Sequence, residues 1–128
     1  PPPGSGFSGG GVAPVQPWDV GVGEMLPTAE ALKQHADALL ASGNYPAAEH
    51  TYDHALRFVE YEHIFDGAAA KSAARTVKVA CLVDASTCAL ERGDAARALQ
   101  LSSRALHLDP RSVPALVRRG AARAGGAA

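Results

Sequence analysis

His50 and His54 stand four positions apart in EHTYDH, with Asp53 between them. On a helix that interval is one turn, a spacing at which two imidazoles can grip a divalent metal. A third ligand at motif spacing is missing, so the pair reads as a solvated or partly packed polar face. Cys81 and Cys88 are the only cysteines. On one helix they would lie about 10 Å apart, beyond the roughly 7 Å that a disulfide tolerates between Cα atoms. They read as two small apolar side chains on an inner face. Ser102 and Ser103 have no histidine or acid at catalytic spacing, and GSGFSGGG at residues 4–11 precedes neither a strand nor a helix start, as a phosphate-binding loop would. Arg118, Arg119 and Arg123 form a short basic run that reads as a solvated helix face. The sequence therefore points to no catalytic residue, no cofactor and no metal. Recognition by surfaces is the chemistry left to it.

The 128 residues are 47% hydrophobic and carry a formal net charge of −1, enough for one modest domain. So even a charge balance gives no electrostatic reason to expect nucleic acid or an anionic membrane as a partner. No apolar run approaches the roughly 20 residues that span a bilayer, and no charged start followed by an apolar stretch suggests a secretory signal. The expected compartment is cytoplasmic, and a large cytoskeletal or other assembly within it is one setting.

Any recognition surface has to be held by helices. Residues 1–27 contain six of the nine prolines and many of the glycines, and predict an extended arm and linker. From Thr28, a candidate N-cap after Pro27, apolar residues recur at helical spacing. A first helix places Ala29, Leu32, Ala36, Leu39 and Leu40 on one stripe and stops at Gly43; a second opens at Tyr45 and Pro46 with Ala48, Tyr52, Ala55, Leu56 and Val59 inward. A third spans about Ala68 to Arg92, a fourth is capped by Asp94 and stopped by Asp109 and Pro110, and a fifth runs from a Ser112 cap to about Ala124. Residues 28–124 are the expected domain, and residues 125–128 a flexible tail. Nothing alternates with period two for long enough to predict a strand.

Self-comparison reveals a repeat. ALKQHADALLASGNYPAAEHTYDHAL, from Ala31 to Leu56, superimposes without a gap on CLVDASTCALERGDAARALQLSSRAL, from Cys81 to Leu106, at an offset of 50. Gly43 meets Gly93, Ala48 meets Ala98 and Ala55 meets Ala105. Each unit is a helical hairpin with small residues at its close crossings, and it resembles the tetratricopeptide repeat (TPR), whose period is about 34 residues. The surplus of about 16 residues relative to that period is expected at Phe58 to Ala73, as a longer second helix and a loop around Phe65, Asp66 and Gly67. VPALVRRGAARA, from Val113 to Ala124, resembles the first helix of a third repeat without its partner. It would expose Leu116 and Val117, which suggests a fragment or a covering partner. The predicted fold is all-α: two TPR hairpins and the first helix of a third, led by a Pro/Gly-rich arm.

The insertion is more specific. FVEYEHIF, VKVACLVDASTCAL and ALVRRGAA resemble successive segments of the TPR module of large FKBP-type immunophilins, prolyl isomerases that act as co-chaperones. PWDVGVGEM at residues 17–25 admits two readings within that family: the tryptophan-bearing floor of the isomerase pocket, or the linker before the first repeat, whose pattern Trp18, Asp19 and Glu24 meet. Helical repeat begins too soon after Trp18 for an isomerase domain to close, so the linker reading is preferred. The resemblance covers residues 18–124 and no catalytic domain; isomerase activity would need one upstream.

Stacked hairpins leave a concave groove lined by the first helix of each repeat. Here the groove is expected to present Lys33, Asp37 and Leu40, then Val83, Asp84 and Thr87, then Val117, Arg118 and Ala121. In the resembled family, lysine, asparagine and arginine side chains in this groove clamp the C-terminal carboxylates of heat-shock chaperones. Lys33 and Arg118 match that clamp. Asp37 stands where the family has asparagine or threonine, Asp84 where it has asparagine, and Pro114 where it has lysine. An aspartate about 4 Å from a peptide carboxylate would repel it by roughly 4 kcal/mol at an effective dielectric of 20. Either Lys33 and Arg118 are neutralised internally by Asp37 and Asp84, or the groove favours a basic or neutral ligand. The expected function is protein–protein interaction, as a scaffold or adaptor in a larger assembly that uses the groove and the arm. Co-chaperone-like binding of a chaperone C-terminus is the alternative.

Overall fold

The computed structural model describes residues 14–127, and among these no strand occurs. Five helices follow one another: α1 (Val22–Ala41), α2 (Tyr45–Phe58), α3 (Ala68–Glu91), α4 (Ala95–Leu108) and α5 (Val113–Ala127). Short 3-10 turns at Pro17–Asp19 and Glu62–Ile64 precede α1 and α3. Helix α1 pairs with α2 and α3 with α4, while α2 meets α3 and α4 meets α5. That chain of neighbours is a stack of hairpins, in which α1 and α5 both touch α3. None of the described helices is long and apolar enough to cross a bilayer.

Both hairpins turn in the same way because the same residue stands at the same place. Gly43 and Gly93 each have φ of +82°, a left-handed conformation that a Cβ would strain. Around Gly43, the Gly43 N–H donates to the Leu40 carbonyl at 3.0 Å and the Asn44 N–H to the Leu39 carbonyl at 2.9 Å. Around Gly93, the Gly93 N–H donates to Leu90 at 3.0 Å and the Asp94 N–H to Ala89 at 2.8 Å. These are Schellman closures, which satisfy the last carbonyls of the first helix and aim the chain back for the second. Asp94 then caps α4 by accepting the Arg97 N–H at 3.0 Å, and the Ser112 hydroxyl accepts the Ala115 N–H at 3.3 Å to start α5.

Inner stripes of α2, α3 and α4 form the core, with Ala29 and Ala36 of α1 buried against it and Leu32, Leu39 and Leu40 only partly so. Ala48, Tyr52, Ala55, Leu56 and Val59 on α2 are buried, as are Val77, Cys81, Leu82, Ala85, Cys88 and Ala89 on α3 and Ala98, Leu101, Ala105 and Leu106 on α4. Alanines at the crossings are fully covered, so the helix backbones approach closely; Ser86, also buried, donates across the crossing to the Ala98 carbonyl at 3.2 Å. The two hairpins are tied further by charge. The buried Glu49 of α2 accepts from Arg92 Nε at 2.9 Å and from Arg97 Nε at 3.4 Å, and Arg97 also reaches Asp53 at 3.3 Å.

Three element ends differ from expectation. Helix α1 begins at Val22, ahead of the predicted Thr28 cap, and carries Pro27 inside it. A proline normally marks a boundary because it removes a hydrogen bond and crowds the preceding turn. Here Met25 and Leu26 pack against the core, and that burial carries the helix through. The surplus of the first repeat lengthens α3, not the second helix: α2 has 14 residues, as α4 does, whereas α3 has 24. The connecting loop is pinned to that longer helix by Lys71 Nζ on the Phe65 carbonyl at 2.7 Å, Lys78 Nζ on the Glu60 carbonyl at 3.1 Å, and an Arg75–Glu62 ion pair. Phe65 is buried beneath it. Finally, α5 continues past Ala124 to Ala127, and Gly125 passes beside Ala95 of α4. The part of the expected arm that lies in residues 1–13 falls outside the described residues.

Candidate functional site: a concave face with balanced charge

Helices α1, α3 and α5 each contribute to one side of the stack, and Asp84 in the middle of α3 is where their charged groups converge. Lys33 Nζ stands 2.9 Å from Asp37 Oδ2, one turn along α1, and 3.6 Å from Asp84 Oδ2 across the helix interface. The field at Asp84 is set by Lys33, Asp37 and also Arg118 on α5. Of the expected groove residues, the structure thus brings Lys33, Asp37, Asp84, Thr87 and Arg118 into one neighbourhood.

The cluster reaches into the core through Tyr52. Its ring is fully buried under α1, and its hydroxyl donates to Asp37 Oδ1 at 2.5 Å. Asp37 therefore holds the phenol with one oxygen and the ammonium with the other. On the opposite wall, Arg118 Nε donates to the Thr87 hydroxyl at 2.7 Å, and that hydroxyl donates to the Val83 carbonyl at 3.2 Å. Thr87, not Asp84, is the hydrogen-bonded partner of Arg118; Asp84 acts on it through space. Sequence reasoning had Tyr52 only as a core residue, and nothing in the pattern signals that its hydroxyl would be recruited.

The protonation states follow from this arrangement. Burial alone would lower the Lys33 ammonium, but its hydrogen bond to Asp37 and the charges of Asp37 and Asp84 outweigh that and hold it above the ordinary lysine value of 10.5. Burial lifts the Asp84 carboxyl above the ordinary 3.8; Lys33 pulls it back down and Asp37 pushes it further up. Burial, reinforced by the Asp37 hydrogen bond, drives the Tyr52 phenol far up, so it stays a donor. Two cations and two carboxylates leave the cluster close to neutral. Lys33 and Asp84 keep side-chain exposures of 25% and 29%, so both stay within reach of a ligand.

Beside Asp84 the concave face deepens into a cavity of about 550 Å³. Val83, Asp84 and Pro114 line it, together with Ser72, Arg75, Thr76, Val79 and Ala80 from the first half of α3 and Leu108, Asp109 and Ser112 from the α4–α5 turn. The α3 positions missed in sequence fall at intervals of three and four, so they continue the Val83–Asp84 stripe backward for three turns. Running that period toward the N-terminus of the predicted third helix would have found them. Leu40 packs half-buried against the core and Lys33 lies outside the cavity lining, while Val117 and Ala121 are exposed on α5.

The other candidates resolve by position. Nε2 of His54 lies 2.5 Å from the Val15 carbonyl oxygen, which can only accept, so His54 is engaged in holding the N-terminal segment. Cys81 and Cys88 are both free and buried, and burial pushes their thiols up to about 12 and about 11. Trp18 sits on the 3-10 turn with 80% of its surface exposed, which is the place of a linker residue and not of a pocket floor.

No family model matches the chain. Among solved structures it superimposes on the C-terminal TPR-containing domain of a Plasmodium falciparum FK506-binding protein with a TM-score of 0.78. The match covers 84% of this chain and 72% of that one. The fold is a tetratricopeptide-repeat array. At 21% identity the likeness is one of architecture. A TPR array is what the repeat in the sequence predicts, and the superposition covers most of the chain.

Proposed function

We propose that this TPR array is the protein-interaction module of a scaffold or adaptor, gripping a partner segment along the face formed by α1, α3 and α5, and that it does so without reading a terminal carboxylate. The observation that carries this is the pairing of Lys33. Its ammonium is already satisfied by Asp37 and Asp84. A carboxylate arriving there would displace one aspartate or stand against both, a repulsion of a few kcal/mol at close range. Pro114 lines the cavity where a third cation would strengthen a clamp. A segment with neutral or basic side chains meets no such barrier, and the cavity beside Asp84 offers it both an apolar wall at Val79 and Val83 and a carboxylate to pair with.

The co-chaperone alternative draws support from Lys33 and Arg118, which lie on the same face about Asp84. Mapping backbone amide shifts with two peptides separates the readings. One ends in consecutive acidic residues and a free carboxylate; the other carries lysines at those positions and an amidated end. The adaptor reading expects the basic peptide to shift Val79, Val83, Asp84 and Arg118. Shifts with the acidic peptide alone, lost in Lys33→Ala, would establish the co-chaperone reading instead.

A further inference from the structure

A second cavity, of about 580 Å³, lies away from the concave face, between the N-terminal segment and the outer side of α2. Its existence depends on the segment being docked. The Val15 carbonyl is held by His54, and the Gln16 amide oxygen accepts from Arg57 at 3.5 Å. The 3-10 turn that follows is closed by the Gln16 N–H on Asp19 Oδ2 at 2.9 Å, and this places Pro17 and Trp18 on one rim. Tyr61, at the start of the insertion, stands on the cavity as well, above Met25, Leu56 and Ile64.

Two features of this cavity are unlike ordinary surface. Trp18 and Tyr61 are 80% and 61% exposed, although aromatic side chains of this size bury most of their area when packing alone places them. The chain has one tryptophan and three tyrosines, and the tryptophan and one of the tyrosines face the same hollow. Secondly, its charges cancel. Asp53 and Glu60 are matched by Arg57 and Arg104 in the lining; Glu60 lies 3.8 Å from Arg104, and Asp53 pairs with Arg97 behind it. What the lining offers a ligand is flat aromatic surface and hydrogen-bond donors: the Trp18 indole N–H, the Tyr61 hydroxyl, the Gln16 amide and two guanidinium groups.

An uncharged, ring-bearing ligand rich in unpaired carbonyls would match that set. A polyproline II segment has this chemistry: its pyrrolidine rings stack on aromatic faces, and its backbone carbonyls have no internal partners. We propose that the Trp18–Tyr61 cavity is a second binding site, independent of the concave face, for a proline-rich segment of a partner protein in the polyproline II conformation. A charged peptide would unbalance the paired side chains, and an amphipathic helix would bury its own carbonyls and leave the donors unused.

Trp18, as the sole tryptophan, reports on its own site. Titration of the full chain with decaproline is expected to give a saturable change in indole emission in the high-micromolar range. Tyr61→Ala should weaken binding about tenfold, while Lys33→Ala leaves it unchanged. Both aromatic side chains are solvent-facing, so the fold should withstand their truncation, and circular dichroism checks that. Trp18→Ala, followed by amide shifts at Met25 and Ile64, should abolish binding. A glycine–serine peptide of equal length should be inert. The site is refuted if decaproline gives no saturable change at millimolar concentration, if Tyr61→Ala has no effect, or if only an acidic or a helical peptide binds.

Discussion

The two hairpins share a backbone and differ in how their polar groups are wired. At positions related by the 50-residue offset, the first hairpin has Lys33, Asp37, Glu49 and Tyr52 where the second has Val83, Thr87, Leu99 and Ser102. The first uses charge: Tyr52 and Lys33 converge on Asp37, and Glu49 binds two arginines of its neighbour. The second uses hydroxyls bonded to backbone, with Ser102 donating to the Ala98 carbonyl at 2.8 Å and Thr87 to Val83. Helix-to-helix distance is thus set by the shared alanines and glycines, and the intervening positions can specialise. Charge accumulates where the first hairpin meets the second, at Lys33, Asp37 and Asp84.

Alkali should expose the largest difference. The two thiols of the second hairpin titrate from 9.0 in the unfolded chain to about 12 and about 11 when folded, and the Tyr52 phenol of the first is raised as well. Above pH 9.0 for the thiols and above 10.0 for the phenol, the unfolded state releases protons that the folded state keeps, so stability falls as pH rises, by about 1.4 kcal/mol per pH unit for each such group. Urea midpoints measured at intervals from pH 9.0 to about 11 should show this. The double variant Cys81→Ala with Cys88→Ala should fall with a shallower slope.

Exchanging residues between hairpins tests the wiring directly. Tyr52→Ser, which imports the residue of the second hairpin, should lose about 3–4 kcal/mol in urea denaturation, because it empties a fully buried ring site and leaves Asp37 without its donor. Glu49→Leu should lower the thermal midpoint by roughly 5 °C. The reverse exchange, Leu99→Glu, falls on an exposed position and should change stability by less than about 0.5 kcal/mol. Thr87→Val, which removes the acceptor of Arg118 at a partly exposed site, should cost about 0.5–1 kcal/mol, with the main effect on the orientation of the arginine.

Much of the stack was legible in the sequence because its determinants are local. Gly43 and Gly93 announce the turns, and the alanine and leucine stripes announce which faces meet. Pro27 misled because its local penalty is outweighed by Met25 and Leu26 packing on the core, a tertiary effect. The third helix was expected at its observed start, but part of the insertion was also expected to lengthen the second helix, which stops at Phe58. The insertion's anchors, Lys71 on Phe65 and Arg75 on Glu62, join residues whose proximity depends on the loop already being folded. The repeat and the family resemblance pointed to Lys33, Asp37, Asp84 and Arg118. They did not show that Tyr52 reaches Asp37 from beneath, or that Thr87 takes Arg118, since both depend on side-chain direction across a helix interface.

The central claim is that Asp37 and Asp84 hold Lys33 in a balanced cluster and so bar a terminal carboxylate from the concave face. Calorimetric titration of an acidic, free-carboxylate peptide into the wild type and into Asp37→Asn with Asp84→Asn tests it most directly. The account predicts no saturation for the wild type at hundreds of micromolar and a gain of at least about tenfold on neutralising the two aspartates. Micromolar binding by the wild type, unchanged or weakened in the double variant, would contradict it.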